Sequence, residues 1–296
     1  MVREARSEDF ACAAELLNVV WPHRVGSERG LRHTAEVAPS IAHRRYWAAE
    51  DGGKLVGWAT AAIEHQSAAR PGFLEVSVAP DARNAGVGTA LLDRCEAHLT
   101  ELGVATVLAA TTPDEASRRR AAARGFRHTS TTRISGVDPR TVEPETVRPP
   151  GVDLRPLASL DPHQVYELDA EAMRDVPGEV ATDDVSYDQW FEDYWRHPDT
   201  DLEASVAAVV DGRAVSFSHL RVGSGGRAVT DMTGTLRAYR GRGLALLVKR
   251  ATLVNAAERG VRLVSTENDE TNRPMLAVNE KLGYRPIGST LLWSRP

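Results

Sequence analysis

The sequence predicts an α/β protein of the mixed, α+β kind, made of two tandem copies of one fold. Three observations predict it. First, Arg83-Asn84-Ala85-Gly86-Val87-Gly88 and Arg240-Gly241-Arg242-Gly243-Leu244-Ala245 both fit Arg-x-x-Gly-x-(Gly or Ala), and 157 residues, about one domain length, separate Arg83 from Arg240. Second, the pairs Gly125-Phe126 and Gly283-Tyr284 lie 158 residues apart, almost the same offset. Third, the stretch between the copies is rich in proline and lacks apolar periodicity. The expected division is an N-terminal domain over 1–137, a linker over 138–151 and a C-terminal domain over 152–296.

Each element of the first copy has its own local signal. Val2-Arg3-Glu4-Ala5 reads as a short strand, and Ser7 stands where a helix cap would, ahead of Phe10, Ala14, Leu17 and Val20 at helical spacing. Trp21-Pro22 ends that helix. Tyr46–Glu50 and Leu55–Thr60 flank Asp51-Gly52-Gly53 and predict a hairpin, because this turn chemistry supplies positive backbone angles. Phe73–Val78 is the next strand. The first motif then opens an amphipathic helix through Ala90, Leu91, Leu92, Cys95 and Leu99, stopped by Gly103. A buried strand over 104–110, a helix over 114–124 and a strand from Phe126 toward Ile134 complete the copy.

The same order returns downstream. Leu154–Leu157 is the first strand, a helical region starts at Asp161, and a hairpin turns at Asp211-Gly212, with Asp211 the expected equivalent of Asp51. A strand over 229–235, the second motif, a helix over 244–259, a strand over 261–266 and a helix over 272–282 follow. Before the hairpin, residues 175–201 gather Tyr187, Trp190, Phe191, Tyr194 and Trp195 with Asp183, Asp184, Asp188, Glu192 and Asp193. Aromatics plus acids suit a cationic amine, and equally suit an amphipathic helix with its acids outward.

Bulk properties exclude several classes of function. With 42% hydrophobic and 26% charged residues the chain reads as a folded globular protein, and no apolar run reaches the roughly 20 residues of a membrane-spanning helix. The N-terminus carries early acids and no signal-like stretch, so a cytoplasmic location is expected. A net charge of −5 with scattered basic residues gives no reason to expect nucleic-acid binding. Cys12 and Cys95 form neither a disulfide framework nor a metal-ligand spacing, so no metal is expected.

The repeated motif has a physical use. The first turn of a helix leaves backbone N–H groups unpaired at the positive end of the helix dipole, and glycine lets that backbone approach phosphate oxygens closely. Neither copy has the Gly-Lys-(Ser or Thr) ending of a P-loop. Leu91 and Leu246 stand where a dinucleotide fingerprint needs its third glycine.

The chain resembles the GNAT superfamily, the Gcn5-related N-acetyltransferases. The resemblance rests on Val76-Ser77-Val78-Ala79-Pro80 before the first turn, Thr233-Gly234-Thr235-Leu236 before the second, and the closing Gly125-Phe126 and Gly283-Tyr284. The tandem layout is similar to that of the mycothiol synthase branch. It implies two tandem GNAT folds, each a mixed, mostly antiparallel central sheet flanked by helices, and it implies acetyl-CoA as cosubstrate with no metal. In such folds the turn cradles the pyrophosphate and the preceding strand pairs with pantetheine where two parallel strands splay.

Carried over, Val76, Ser77 and Val78 with Arg83, Asn84, Ala85, Gly86, Val87, Gly88 and Thr89 would bind one cosubstrate. Thr233, Gly234 and Thr235 with Arg240, Gly241, Arg242, Gly243, Leu244, Ala245, Leu246 and Asn272 would bind another. The family's usual tyrosine acid, four residues before the closing glycine, is replaced by Ala121 in the first copy and Asn279 in the second. Beside the run Arg118-Arg119-Arg120 this points to a first copy degenerate in chemistry and an active second one. Glu267, Asp231 and Asn279 are the candidate catalytic residues; each also has a plain reading as a strand-end charge or a buried side chain bonding to backbone. Asn272 equally suits a helix cap. The function implied is direct transfer of an acetyl group to the amine of a small molecule, by a monomer or homodimer without nucleic-acid or membrane partners. A non-catalytic acyl-CoA-binding protein and a protein or peptide N-acetyltransferase stay open as alternatives.

Overall fold

The computed structural model describes every residue except Thr146, Val147 and residues 178–184. Asp183 and Asp184 therefore lie outside the described residues. The chain forms two compact units. One comprises Met1–Pro22, Gly26–Thr132 and Ser289–Pro296, the other His23–Val25 and Arg133–Gly288.

The first unit contains β1 (Val2–Glu4), α1 (Asp9–Val20), α2 (Glu28–Val37), β2 (Arg45–Asp51), β3 (Lys54–Ile63), β4 (Gly72–Val78), α3 (Val87–Glu101), β5 (Val107–Thr111) and α4 (Glu115–Ala123). It also holds the start of β6 (Arg127–Val137). In the second, β7 (Asp153–Pro156) and α5 (Pro162–Met173) lead to α6 (Tyr187–Trp190), which runs into a π-helical turn over Phe191–Trp195. Then come β8 (Val206–Val210), β9 (Arg213–Val222), β10 (Arg227–Thr235), α7 (Leu244–Glu258), β11 (Leu263–Asp269), α8 (Arg273–Lys281) and β12 (Arg285–Arg295).

The strand sets of the two units repeat one topology and exchange their last strands. The first sheet runs β1-β2-β3-β4-β5 and is completed by the end of β12, where Leu291–Arg295 pair antiparallel with Val107–Thr111. The second runs β7-β8-β9-β10-β11 and takes β6 beside β11, with Arg133–Val137 counted in that unit. Only β4 with β5 and β10 with β11 are parallel among the pairings within each five-strand set. The units thus cut across the expected boundaries at 137 and 152. Within the expected linker, Pro139–Thr141 form a 3-10 turn, and Glu145 pairs with Arg250 of α7.

Local chemistry explains most element ends and moves a few. The hairpin turns are Gly52-Gly53 and Asp211-Gly212, all with positive φ, so Asp211 matches Gly52 rather than Asp51, which remains in the β2 ladder opposite Lys54. Ser7 does not cap α1; the helix starts at Asp9 without a side-chain cap, and Asp9 is held by Arg3 at 2.7 Å and by the Arg6 N–H at 2.6 Å. The amphipathic α2, capped by Ser27 on the Gly30 N–H, had no counterpart in the sequence reading.

Each unit has its own apolar core. The first packs Phe10, Trp47, Trp58, Leu91, Leu99 and Trp293, and the second is built around Leu168, Trp190, Phe217, Val248 and Leu253. Lys249 of α7 lies inside the second, 1% exposed, with Nζ 3.5 Å from Thr266 Oγ1 and 4.9 Å from the centre of the Tyr284 ring. Burial pushes its pKa down to about 7. The unfolded chain therefore binds more protons than the folded one between about pH 7 and the ordinary lysine value of 10.5, and stability rises with pH through that window. Lys249→Met should raise the melting temperature most below pH 7 and least above pH 10.5. Equal shifts at pH 6 and pH 10 in thermal unfolding would contradict a neutral buried lysine.

Candidate active site

The two motif turns have the same backbone shape. Asn84 and Gly86 in the first, and Gly241 and Gly243 in the second, hold φ between 64° and 82°. Gly86 and Gly243 are the N-caps of the two 15-residue helices α3 and α7, and neither contributes a side-chain cap. The first helical bonds are Ala90 N–H to Gly86 O and Leu247 N–H to Gly243 O. This leaves the amides of Val87, Gly88 and Thr89, and of Leu244, Ala245 and Leu246, outside the helix ladder. A Cβ built on Gly86, Gly241 or Gly243 meets nothing within 4 Å, so each turn is uncrowded at its glycines. That combination fits a pyrophosphate.

The motif arginines brace the turn. Arg83 Nε donates to Val78 O at 3.3 Å and Arg240 Nε to Thr235 O at 3.0 Å, tying each loop to the strand before it. Arg240 also pairs with Asp175 at 2.7 Å, so much of its charge is answered within the protein. Arg242 lies over the Tyr239 ring and donates to Ala238 O. Ala85 completes the first turn. At Gly88 a Cβ would meet Val78 at an ordinary 3.4 Å, and the equivalent position carries Ala245.

Both parallel strand pairs splay in front of their turn. β4 pairs with β5 only over Gly72–Leu74, and β10 with β11 only over Arg227–Val229. Beyond those points one edge of β4 and of β10 has no parallel partner among the described residues. Ala79 N–H donates to Val56 O and Leu236 N–H to Val215 O. Alternation along a strand then turns the backbone of Ser77 and Gly234 toward the hairpin strand, and that of Val76, Val78, Thr233 and Thr235 toward the side from which the parallel neighbour has withdrawn. The Thr233 and Thr235 side chains are engaged with Ser218 at 3.2 Å and Ser216 at 2.8 Å.

The acids past the two parallel pairings are presented differently: Glu75 in a regular ladder, Asp231 on a bulge. β10 bulges between Thr230 and Met232, and the extra residue is Asp231, at the mouth of the splay. β4 pairs with β3 through the equivalent region without a bulge. Asp231 lies 3.0 Å from Arg221 and 3.6 Å from His219 Nδ1, while His219 Nε2 is 3.2 Å from Thr200 Oγ1. The packed surroundings of Asp231 would raise its pKa, but the Arg221 charge and then His219 outweigh them and hold the carboxyl below the ordinary range.

Glu267, on β11 past the paired region, lies 3.3 Å from His23 Nε2 and 3.5 Å from Arg24 Nε. His23 is itself fixed by the Ser265 hydroxyl donating to its carbonyl. Burial would raise the Glu267 pKa, and the bond to His23 and the charge of Arg24 lower it on balance. Both carboxylates are therefore anions at neutral pH, suited to holding positive charge and weak as proton acceptors.

Asn279 and Asn272 sit on α8 and the residue that caps it. Asn279 is 2% exposed and donates through Nδ2 to Asn268 Oδ1 at 2.7 Å. Asn272 caps the helix, accepting from the Met275 N–H at 3.3 Å. In the first copy the matching helix, α4, is capped by Asp114 on Ser117 and carries Arg118, Arg119 and Arg120. The structure thus brings Asp231, Thr233 and Thr235 together at one splay with the Gly241–Leu246 turn at the end of that strand. Glu267 stands on the facing strand.

A family model for the acetyltransferase (GNAT) family matches residues 13–126 and again 163–284. The chain belongs to the GNAT family. The GNAT family in general uses acetyl-CoA, and this chain is an acyltransferase with two GNAT folds in tandem. A mycothiol acetyltransferase from Thermobifida fusca (strain YX) is 26% identical over 273 residues, covering 86% of this chain and 82% of that protein. Among solved structures, a tandem GNAT protein from the clavulanic acid biosynthesis pathway matches 100% of this chain and 98% of its own at a TM-score of 0.73 and 23% identity. A GCN5-related N-acetyltransferase from Sphaerobacter thermophilus matches 100% and 95% at 0.71 and 20%. At these identities the solved structures show the fold.

Sequence reasoning passed over two groups of side chains in the second GNAT unit. His23 and Arg24 were hidden because they come from the first copy's sequence, 244 and 243 residues before Glu267. Asp169 was readable in principle, since it shares the apolar stripe of α5 with Val165, Leu168 and Ala172, all buried. Among the described residues no helix is long and apolar enough to cross a membrane, and no group of three or more His, Cys, Asp or Glu side chains is placed to hold a metal ion.

Proposed function

We propose that this protein transfers an acetyl group from acetyl-CoA directly to the amine of a small molecule, and that the second GNAT unit performs the reaction. The observation that carries the reading is the bulge that sets Asp231 at the mouth of the β10–β11 splay, on the same strand that leads into the Gly241–Leu246 turn. The first unit has the turn and the splay without the bulge; its acid there is Glu75, which stays in the regular β3–β4 ladder opposite Thr60.

In this account the amides of Leu244, Ala245 and Leu246 hold the pyrophosphate, and the free edge of β10 at Thr233 and Thr235 aligns the pantetheine arm. Acetyl-CoA supplies an activated thioester carbonyl and a thiolate leaving group. A strand N–H beside the carbonyl oxygen stabilises the charge that develops there. Asp231 holds the amine at the splay and offsets the positive charge that appears on its nitrogen during attack, and water takes the proton. Glu267, restrained by His23 and Arg24, sets the charge on the facing strand. Asn279 keeps Asn268 in place and moves no proton, so thiolate departs without a tyrosine acid. The mycothiol acetyltransferase relative supports a small-molecule acceptor.

The test is release of free thiol from acetyl-CoA with a panel of polyamines, aminoglycosides, amino acids and peptides. Turnover with one or more small amines is expected, and Asp231→Asn should lower kcat about 100- to 1,000-fold, the range of a single electrostatic contact to the reacting centre. Turnover with peptides alone, or full activity in Asp231→Asn, would contradict the reading.

A further inference from the structure

Lys249 takes part in none of these steps, and the first unit shows that the fold does not need it. It is the sixth residue after Gly243, the N-cap of α7, and the sixth residue after Gly86, the N-cap of α3, is Leu92. Its polar neighbours are matched by apolar residues in the same way. Thr266 and Ala109 each stand six residues past the glycine that follows the preceding helix, Gly260 and Gly103. Thr230 opposite Leu220 of β9 corresponds to Leu74 opposite Ala61 of β3. Tyr284 follows Gly283 as Phe126 follows Gly125. In the first unit Leu92, Ala109, Leu74 and Phe126 simply pack in the core.

The polar set sits at the apex of the second splay. Leu74 and Ala109 are the last parallel pair of the first unit, whereas the pairing in the second ends one step sooner, at Val229 and Ser265. Thr230 and Thr266 are joined instead by a side chain, the Thr266 hydroxyl donating to Thr230 O at 3.2 Å. That bond uses its proton, so toward Lys249 Nζ, 3.5 Å away, the Thr266 oxygen is an acceptor. The Tyr284 hydroxyl lies 3.2 Å from Thr230 Oγ1.

A buried lysine is costly unless an anion answers it. Among the described residues no carboxylate pairs with Lys249, and burial alone moves its pKa. Asp231 and Glu267, the next residues along β10 and β11, are held by Arg221 with His219 and by His23 with Arg24. Burial raises the Tyr284 pKa and keeps it a neutral phenol. With its own pKa brought to about 7, the lysine carries its charge readily near neutral pH once an anion is beside it. The missing partner is one that arrives with a ligand.

We infer that Lys249, acting through the Thr266 hydroxyl, is the counter-charge for the thiolate of CoA at the apex of the second splay. The inference rests on the reading that this splay holds the reacting cosubstrate, and it names the side chain that offsets the charge left by the absent tyrosine acid. When the amine attacks, the C–S bond breaks with its electron pair on sulfur, and the surplus proton of the new amide nitrogen goes to water. Thr266 keeps its bond from Lys249 and turns its own proton from Thr230 O to the sulfur, so the ammonium charge acts on the thiolate through one hydroxyl. No proton has to leave Lys249, which is a positioning residue; the group that meets the sulfur is Thr266. Asp231 thus serves the incoming nitrogen and Lys249 the departing sulfur. Leu92 and Ala109 give the first unit no such device.

The thiol of bound CoA reports this charge. The full-length protein is saturated with CoA and its ultraviolet thiolate absorbance is followed against pH, with the desulfo-CoA complex as the blank. The bound thiol is expected to ionise at least about one pH unit below free CoA, a tenfold shift. Lys249→Met and Thr266→Val, both close in volume to the residues they replace, should return the midpoint to that of free CoA while binding desulfo-CoA as the unaltered protein does. A merely structural lysine would alter desulfo-CoA binding and leave the midpoint in place. Bound CoA that ionises like free CoA in the unaltered protein would overturn the inference whether or not the variants fold, and so would a midpoint still depressed in Lys249→Met. Amine turnover with an unshifted thiol would sink the role of Lys249 and leave the enzyme reading intact. A Lys249-dependent shift with no amine acetylated would do the reverse.

Discussion

Gly243→Val is expected to lower kcat/KM for acetyl-CoA about 100-fold, while the matched Gly86→Val leaves turnover within about twofold. The two glycines are structural twins. Both are helix N-caps with φ near 80°, and at both a new Cβ would meet nothing within 4 Å. Left-handed backbone costs a non-glycine residue roughly 1–2 kcal/mol in either copy, so the fold is affected equally. Only the consequence for chemistry differs. In the proposed site of the second unit the branched side chain crowds the pyrophosphate of the reacting cosubstrate, and the loss should appear mainly in KM. Steady-state kinetics of the two variants, with circular dichroism to confirm folding, measures the difference. A large loss in Gly86→Val with an active Gly243→Val would transfer the reaction to the first unit.

Deleting Ser289–Pro296, the last eight residues of the chain, should collapse the first unit rather than the one that precedes them in sequence. Leu291–Arg295 form five ladder pairs with β5, and Leu291 and Trp293 belong to the first core. Trp293 donates to Thr111 Oγ1 at 2.8 Å, and Arg295 pairs with Glu96 at 2.6 Å while lying over the Phe126 ring. Trp293→Ala alone should cost about 3–5 kcal/mol, a large share of the 5–15 kcal/mol that typically holds a domain. Hydrogen exchange reads this directly: amides of Val107–Thr111 should lose protection in the truncated protein. Undiminished protection there would contradict the strand exchange. By the same logic residues 1–137 produced alone lack their sixth strand and should not fold stably.

The repeat was legible because it rests on backbone requirements that only certain residues meet. Positive φ at Gly86, Gly243, Gly53 and Gly212 leaves a mark in the sequence, and so does the amphipathic spacing of α3. The fold class and the family followed from those marks. The strand exchange left none, because β6 and β12 have the alternating pattern of any final strand and pattern says nothing about which neighbour a strand pairs with. The bulge at Asp231 was equally silent: one inserted residue changes which side chains reach the splay without altering composition.

The candidate acids could be named from sequence as polar residues near the end of the inner strands, but not their partners. Arg221 and His219 come from the hairpin strand, and His23 and Arg24 from the other copy's segment after α1. Those partners decide that Asp231 and Glu267 serve as fixed anions. Asn272 had two readings, ligand contact and helix cap, and its side chain is engaged as the cap. Asp169 stood in plain view as an acid on an apolar helix face, and its bond to the Trp190 indole N–H is what the structure adds.

The most direct measurement of the central claim is a structure of the protein with bound CoA. The account predicts CoA in the second unit, with its pyrophosphate on the amides of Leu244, Ala245 and Leu246 and its pantetheine along Thr233–Thr235, ending beside Asp231. CoA held only along Val76–Val78 and the Gly86 turn, with the second splay empty, would contradict it.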